Sequence, residues 1–422
     1  MGNANFPFFC PYFYQNQNQL ANCRGKLNFF SFLCTFVLIF VNVYVERRIR
    51  ENKIKQSMQQ FDTIHKLKEF LQVSEVKEIA IQSLDLTQIE EQMLSVHFSR
   101  CLFLGCTMSS KLLHHLLPEN FIFPVLDVPF NAYPNNLYNK DTLYNDFDYR
   151  KPETYLKTKD KIVYDYFKNS LINLSIKDSL AQRLHDHSIT DSLHEYISRF
   201  DERKVVAIMG GHKIKRDESM YLQVTRLSKS LAEKGYLMLS GGGPGAMEAT
   251  HVGAWMAGRS DKDLLDAIAI LSEAPVYSDE NWLGSAFRVM ELFPDPAFDS
   301  LGIPTWHYGH ELPTPFATQI AKYFENSVRE EGLLALAKGG VIFTPGSAGT
   351  MQEVFQDLAQ NHYESYGYAS PMIFLNIEFW TKSRPIYPII QEMSDRGDLL
   401  NLNLGLYDEN EEVIAHLEKF SG

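Results

Sequence analysis

The chain has 422 residues, with 52 acidic side chains against 40 Lys and Arg, for a formal charge of −12. That length exceeds what one hydrophobic core holds and implies two or three domains, while the acidic balance is a poor electrostatic match for nucleic acid. Five cysteines without a CxxC pair offer neither a zinc ribbon nor a disulfide scaffold.

Residues 27–45, LNFFSFLCTFVLIFVNVYV, are uncharged and of membrane-spanning length, and Arg47, Arg48, Arg50, Lys53 and Lys55 come directly after them. The positive-inside rule would then keep the rest of the chain cytoplasmic, anchored at the inner face of a membrane. The alternative is a start assigned too far upstream: residues 1–57 share no compositional character with residues 58–422, and Met58 opens a polar helical pattern. Both readings stay open, and the chain divides on paper into 1–57, an accessory α/β or α+β domain over 58–201, and a nucleotide-binding domain over 202–422.

Within 58–201, Ile79–Ile81, Arg100–Gly105 and Phe121–Leu126 read as short strands. The Tyr/Asn/Asp-rich stretch from Asn131 to Lys151 reads as a long surface loop or cover. Two helices are predicted over Tyr164–Phe200, with Leu171, Leu174, Leu180 and Leu184 as their apolar stripe.

From 202 onward the pattern sharpens. Strands are predicted at Lys204–Met209, Tyr236–Ser240, Asp266–Leu271, Ile303–Tyr308, Val341–Thr344 and Met372–Asn376. Helices are predicted at Tyr221–Lys234, from Ala246 towards Met256, from Phe316 to Arg329 with Ala337 as the outer limit, and at Thr350–Asn361. Strands alternating with helices imply a Rossmann-like, doubly wound parallel α/β sheet. Two strand–glycine–helix junctions stand out: Gly241-Gly242-Gly243-Pro244-Gly245 before Ala246-Met247, and Pro345-Gly346-Ser347-Ala348-Gly349-Thr350. Glycine lets the backbone approach a ligand, and the free amides of a helix start attract an anion. Two such turns on one sheet suit a phosphorylated, nucleotide-sized ligand, with Gly210, Gly211, Lys213 and Arg216 after the first strand as further contacts. Gly241-x-Gly243-x-x-Ala246 satisfies a relaxed dinucleotide fingerprint, but it follows the second strand, and the next strand ends at Leu271-Ser272-Glu273, further on than the fingerprint expects. Asp261 and Asp263 precede a strand instead of ending one, and no phosphate-loop spacing exists. His212, His251 and His310 lie near strand ends without metal-ligand spacing.

The paired segments Ser240-GGGPGAMEAT-His251 and Thr344-PGSAGTMQEVF-Gln356 resemble the Lonely Guy-type phosphoribohydrolase family, over about residues 203–400. The additional N-terminal region is similar to that of the family's long nucleotide-nucleosidase branch. Ser347 stands where the family motif has its second glycine. The resemblance implies cleavage of a nucleoside 5′-monophosphate to free base and ribose 5-phosphate, with no metal or cofactor. It implies Glu353 as the carboxylate, Arg329 as the positioning cation, and a homo-oligomer as the working form. A nucleotide sensor without catalysis is the alternative, kept open by Ser347 and by the Glu330-Glu331 pair; an NAD(P)-dependent enzyme is a weaker third.

Overall fold

The computed structural model describes residues 58–172, 174–308 and 311–421. The apolar run at 27–45 and His310 lie outside the described residues, among which no helix is long and apolar enough to cross a membrane.

Seven parallel strands form the central sheet: β1 (Val205–Met209), β2 (Leu237–Ser240), β3 (Ser300–Gly302), β4 (Gln319–Ile320), β5 (Gly340–Phe343), β6 (Pro371–Leu375) and β7 (Asn403–Tyr407). Their spatial order is β4-β3-β2-β1-β5-β6-β7. The chain steps outward from β1 to β4, then crosses to β5 and steps outward the other way. The winding reverses between β1 and β5, which pair from Gly340 with Val206 to Phe343 with Met209. In such a sheet the connections leaving the two strands part at this point and leave a crevice at the carboxyl ends.

Strands buried on both faces explain the continuous apolar runs in the sequence. Val205, Ala207, Met209, Val341 and Phe343 join one core, while Val206, Ile208 and Ile342 join the other. The second face is covered by the helices Ser219–Glu233, Ala246–Trp255 and Asn410–Ser421, which contribute Val224, Leu227, Val252 and Leu417. The first is covered largely by residues 130–197, so the core does not divide at 201/202: Tyr138, Leu143, Val163, Ile189 and Leu193 pack in the same cluster as β1 and β5. A separate small core over 61–116 lies around the parallel strands Ile79–Gln82, Leu102–Leu104 and Phe121–Phe123.

Several expectations need correction. Residues 266–271 are helical, within Asp261–Leu271, not a strand. A capping box between Ser260 and Asp263 starts that helix, and Leu264, Ala267, Ile268 and Leu271 form its buried face. The extended element predicted at 303–308 belongs earlier, at Ser300–Gly302, because those residues pair with Met238–Ser240. The predicted helix from Phe316 is a largely buried extended segment with β4 inside it. The helix begins only at Asn326 and runs to Leu336, so Arg329 lies in its first turn and not at its end. Protein covers most of 316–324 on all sides, so its apolar spacing carried no helical information. Of the two readings of Asn131–Lys151, the cover holds, with Ala132, Tyr133, Tyr138, Leu143 and Tyr144 buried. Leu171, Leu174 and Leu180 are exposed; the helix Ile176–Ile197 instead turns Ala181, His185, Ile189 and Leu193 inward. β7 and the helices Trp282–Leu292, Ile386–Asp395 and Asn410–Ser421 had no counterpart among the elements predicted from sequence.

Candidate functional site

The two glycine turns meet at Gly211. Its N–H donates to Pro345 O (3.1 Å) and its carbonyl accepts from Ala246 N (3.2 Å), so one residue after β1 ties the turn after β2 to the turn after β5. Gly210 is compressed in the same joint, since a β-carbon there would stand 1.8 Å from Thr344 Oγ1. Both turns therefore open at the carboxyl ends of the strands, on one side of the molecule.

The first turn is buried and much of it is occupied by protein. Gly242 (φ +71) donates its N–H to Ser240 Oγ (3.0 Å), and its carbonyl accepts from Thr314 N (2.8 Å). Gly245 (φ +70) lies so close to the β1 loop that a β-carbon would meet Gly211 O at 2.3 Å. The Met247 thioether lies along the turn, 2.7 Å from a β-carbon built on Gly241 and 3.5 Å from one on Gly243. The second turn is different. Ser347, Ala348 and Gly349 are exposed, the helix Ala348–His362 has no side-chain cap, and nothing lies within 4 Å of a β-carbon on Gly349. Gly346 packs against Thr350, which is buried. Ser347 has φ −111, an ordinary conformation for any residue, so its β-carbon is accommodated. An uncapped helix start with exposed amides suits an anion.

Arg329 stands beside the first glycine turn, and Glu353 lies in the second turn of the helix that follows the second. Arg329 Nη1 stands 3.5 Å from a β-carbon on Gly241, and its Nε is buried without a partner in the protein. Desolvation pushes the Glu353 carboxyl up to about 7; the Arg329 charge pulls it down and Glu330 pushes it further up. Arg329 is thus near enough to Glu353 to act on it electrostatically. Glu330 is a strut, accepting from Asn326 Nδ2 (2.6 Å) and from Gln352 Nε2 (2.8 Å), which fastens the Arg329 helix to the Glu353 helix.

The structure corrects the reading of Arg216. Its guanidinium is buried, pairs with both oxygens of Glu248 (2.8 and 2.5 Å), donates to the Leu271, Ala274 and Trp282 carbonyls and to Ser285 Oγ, and stacks over Trp282. Those donors are turned inward, and the charge it would offer a phosphate is neutralised. Glu248 in turn holds Tyr221 Oη (2.8 Å), so Arg216 and Glu248 brace the helix after the first turn. Lys213 remains exposed, on the wall of a cavity of about 310 Å³ that also includes His212, Pro244, Gly245, Tyr277 and Trp282. His212 faces Glu311 (Nδ1 to Oε1, 3.5 Å). His251 is buried between Ser240 and Ser300 hydroxyls, and burial pushes its pKa down to about 3, so it is neutral and structural.

The fold is Rossmann-like. No family model and no curated protein matches the chain. Among solved structures, half of the chain is similar to a molybdenum cofactor binding protein from the phototrophic bacterium Rippkaea orientalis (16% identity, 51% of this chain and 95% of that one, TM-score 0.33). It is similar over the same share to the Moco carrier protein from Chlamydomonas reinhardtii (16%, 96% of that chain, TM-score 0.31) and to the structural-genomics target TM1055 (18%, 98% of that chain, TM-score 0.32). Scores this low carry no functional assignment.

Two acidic residues beside this Rossmann-like cleft escaped prediction from sequence. Glu311 reaches within 3.6 Å of a β-carbon on Gly243. Asp357, one turn after Glu353, is fully buried with one oxygen unpartnered, and desolvation pushes its pKa up to about 7. Its four-residue spacing from Glu353 was the available signal for Asp357; nothing in the sequence singled out Glu311.

Proposed function

We propose that the protein hydrolyses the N-glycosidic bond of a nucleoside 5′-monophosphate. The observation that carries this reading is an arginine beside Gly241 whose Nε lacks a protein partner, within electrostatic reach of the part-buried Glu353 carboxyl, whose pKa is pushed up to about 7. The amides of the exposed Ser347–Gly349 would take the 5′-phosphate, and Arg329 would complement its charge and orient the ribose. Departure of the base leaves oxocarbenium character at C1′, which the Glu353 carboxylate stabilises. Water then adds to C1′, its proton passing to Glu353, while the departing ring nitrogen takes a proton from solvent and Glu353 afterwards returns its own to solvent; free base and ribose 5-phosphate result. Met247, half-buried along the first turn, would line the sugar or base side. By the same family resemblance the working form is a homo-oligomer.

Incubation of the purified full-length chain with AMP, GMP, CMP, UMP and IMP should release free base from at least one. Glu353→Gln should lower that rate by about 10²- to 10⁴-fold. Full activity in Glu353→Gln, or no release from any substrate, would remove the reading. Saturable binding with the nucleotide recovered intact would point instead to a sensor.

A further inference from the structure

The helix that carries Arg329 starts without a side-chain cap from its own N-cap residue, Glu325. Its entry is held from elsewhere. Asp186, buried on the helix Ile176–Ile197, accepts the Phe324 N–H at Oδ1 (3.0 Å) and the Glu325 N–H at Oδ2 (2.8 Å). Behind it stands a buried relay: Asp186 Oδ1 meets His185 Nδ1 (3.0 Å), and His185 Nε2 meets Tyr138 Oη (2.9 Å). Burial lowers the His185 pKa, so the ring is neutral and one tautomer serves both contacts, with Nδ1–H donating to Asp186 and Nε2 accepting from the tyrosine. Tyr138 is itself fixed to the approach segment, since its N–H and C=O both pair with Ile320 (2.9 and 2.7 Å). Arg183 adds an ion pair to Glu325 (2.8 Å), and Lys322 is paired with Asp160 beneath Trp306. These anchors on Ile320, Lys322, Phe324 and Glu325 all come from residues 138–186, while the first turns of the same helix are tied to Glu353's helix through Glu330.

We propose that Asp186 is a positioning residue for Arg329, so that residues 138–186 form part of the active site's frame and not a detachable regulatory unit. The inference rests on the reading of Arg329 and Glu353 as the working pair. A carboxylate that accepts both N–H groups at a helix entry fixes where the first turn begins, and Arg329 lies in that first turn. Loss of the negative charge would let the turn fray and draw the guanidinium away from Glu353. The groups that face Glu353 are Arg329 and Glu330; those that face Asp186 are His185, Tyr138 and Tyr323.

The test compares the full chain with its Asp186→Asn variant, following kcat and KM against pH on a nucleotide that the wild type cleaves, with a thermal melt of each. The expected result is a drop in kcat of about 10- to 100-fold, given that misplaced groups far from the chemistry cost on this order. The acid limb of the pH–rate profile should also move to higher pH, since Glu353 loses the cation that lowers its pKa. Arg329→Gln should move the limb the same way, and Asp186→Asn added to it should do nothing further. A folded Asp186→Asn protein with a wild-type limb and kcat overturns the proposal, because lowered stability alone does not shift a limb. If Asp186→Asn does not fold, Tyr138→Phe decides: a limb shift in the same direction supports the relay, and an unchanged limb overturns it. An inactive wild type sinks this inference together with the proposed function, whereas an active wild type with an indifferent Asp186 sinks this inference alone.

Discussion

The two glycine turns are near neighbours in sequence type and opposites in structure. The turn at 241–245 is buried, with two left-handed glycines, a thioether lying along it and its helix's first amide already bonded to Gly211. The turn at 345–349 is exposed at Ser347–Gly349, its helix uncapped and its last glycine facing open space. Glycine in the first is demanded by the protein itself; at Gly349 no protein atom demands it. A strand–glycine–helix motif thus signals either a joint or a docking place, and only its surroundings tell which.

That contrast is open to breaking at three points. Gly245→Ala places a β-carbon against the Gly211 carbonyl at a positive φ, and should cost about 3 kcal/mol of stability, read by denaturant unfolding. A stable Gly245→Ala protein would mean that the first turn is not the joint described here.

A smaller effect lies behind the second turn, at Asp357. Its folded pKa, pushed up to about 7, is above the ordinary 3.8, so the folded state holds a proton that the unfolded state has released. Between those values stability falls as pH rises, and the loss is complete above about 7. Asp357→Asn should therefore flatten the pH dependence of the melting temperature between about pH 4 and about pH 8, and raise stability at the upper end. A wild-type slope in Asp357→Asn would place the titration elsewhere.

The smallest effect sharpens the comparison most. Gly349→Ala meets nothing within 4 Å and should gain about 0.5 kcal/mol from helix propensity, while weakening nucleotide binding measured by calorimetry. Loss of stability there would place a hidden protein contact at the open turn. Unchanged affinity would take the phosphate away from it.

Much of the cleft was legible beforehand. β1, β2, β5 and β6 announced themselves as unbroken apolar runs, the first three leading into glycine turns, because strands covered on both faces need no polar side. Glu353 was singled out through its motif and Arg329 through the family resemblance and its place before Pro345; the structure sets Arg329 beside Gly241 and within electrostatic reach of Glu353. Arg216 was misjudged because a basic residue after a strand reads the same whether it faces a ligand or a buried glutamate. The helix at 261–271 was legible in the Ser260–Asp263 capping box, but its Leu/Ile run read as a strand. The stretch 316–325 was not legible, since residues covered on nearly all sides lose their period.

By itself, then, the order of amino acids settled the alternation of strand and helix around β1, β2, β5 and β6, the parallel sheet that this alternation requires, and the two places where glycine turns open at the strand ends of that sheet. Those features arise from neighbours within a few positions along the chain: apolar spacing, a glycine, a cap. Which arginine is free at the cleft, which turn is filled, and which carboxylate holds the entry to the Arg329 helix were decided by contacts between residues far apart in sequence, Arg216 with Glu248 and Asp186 with Phe324 and Glu325 among them. Burial and electrostatic pairing depend on what arrives from elsewhere in the fold, and no local pattern records it.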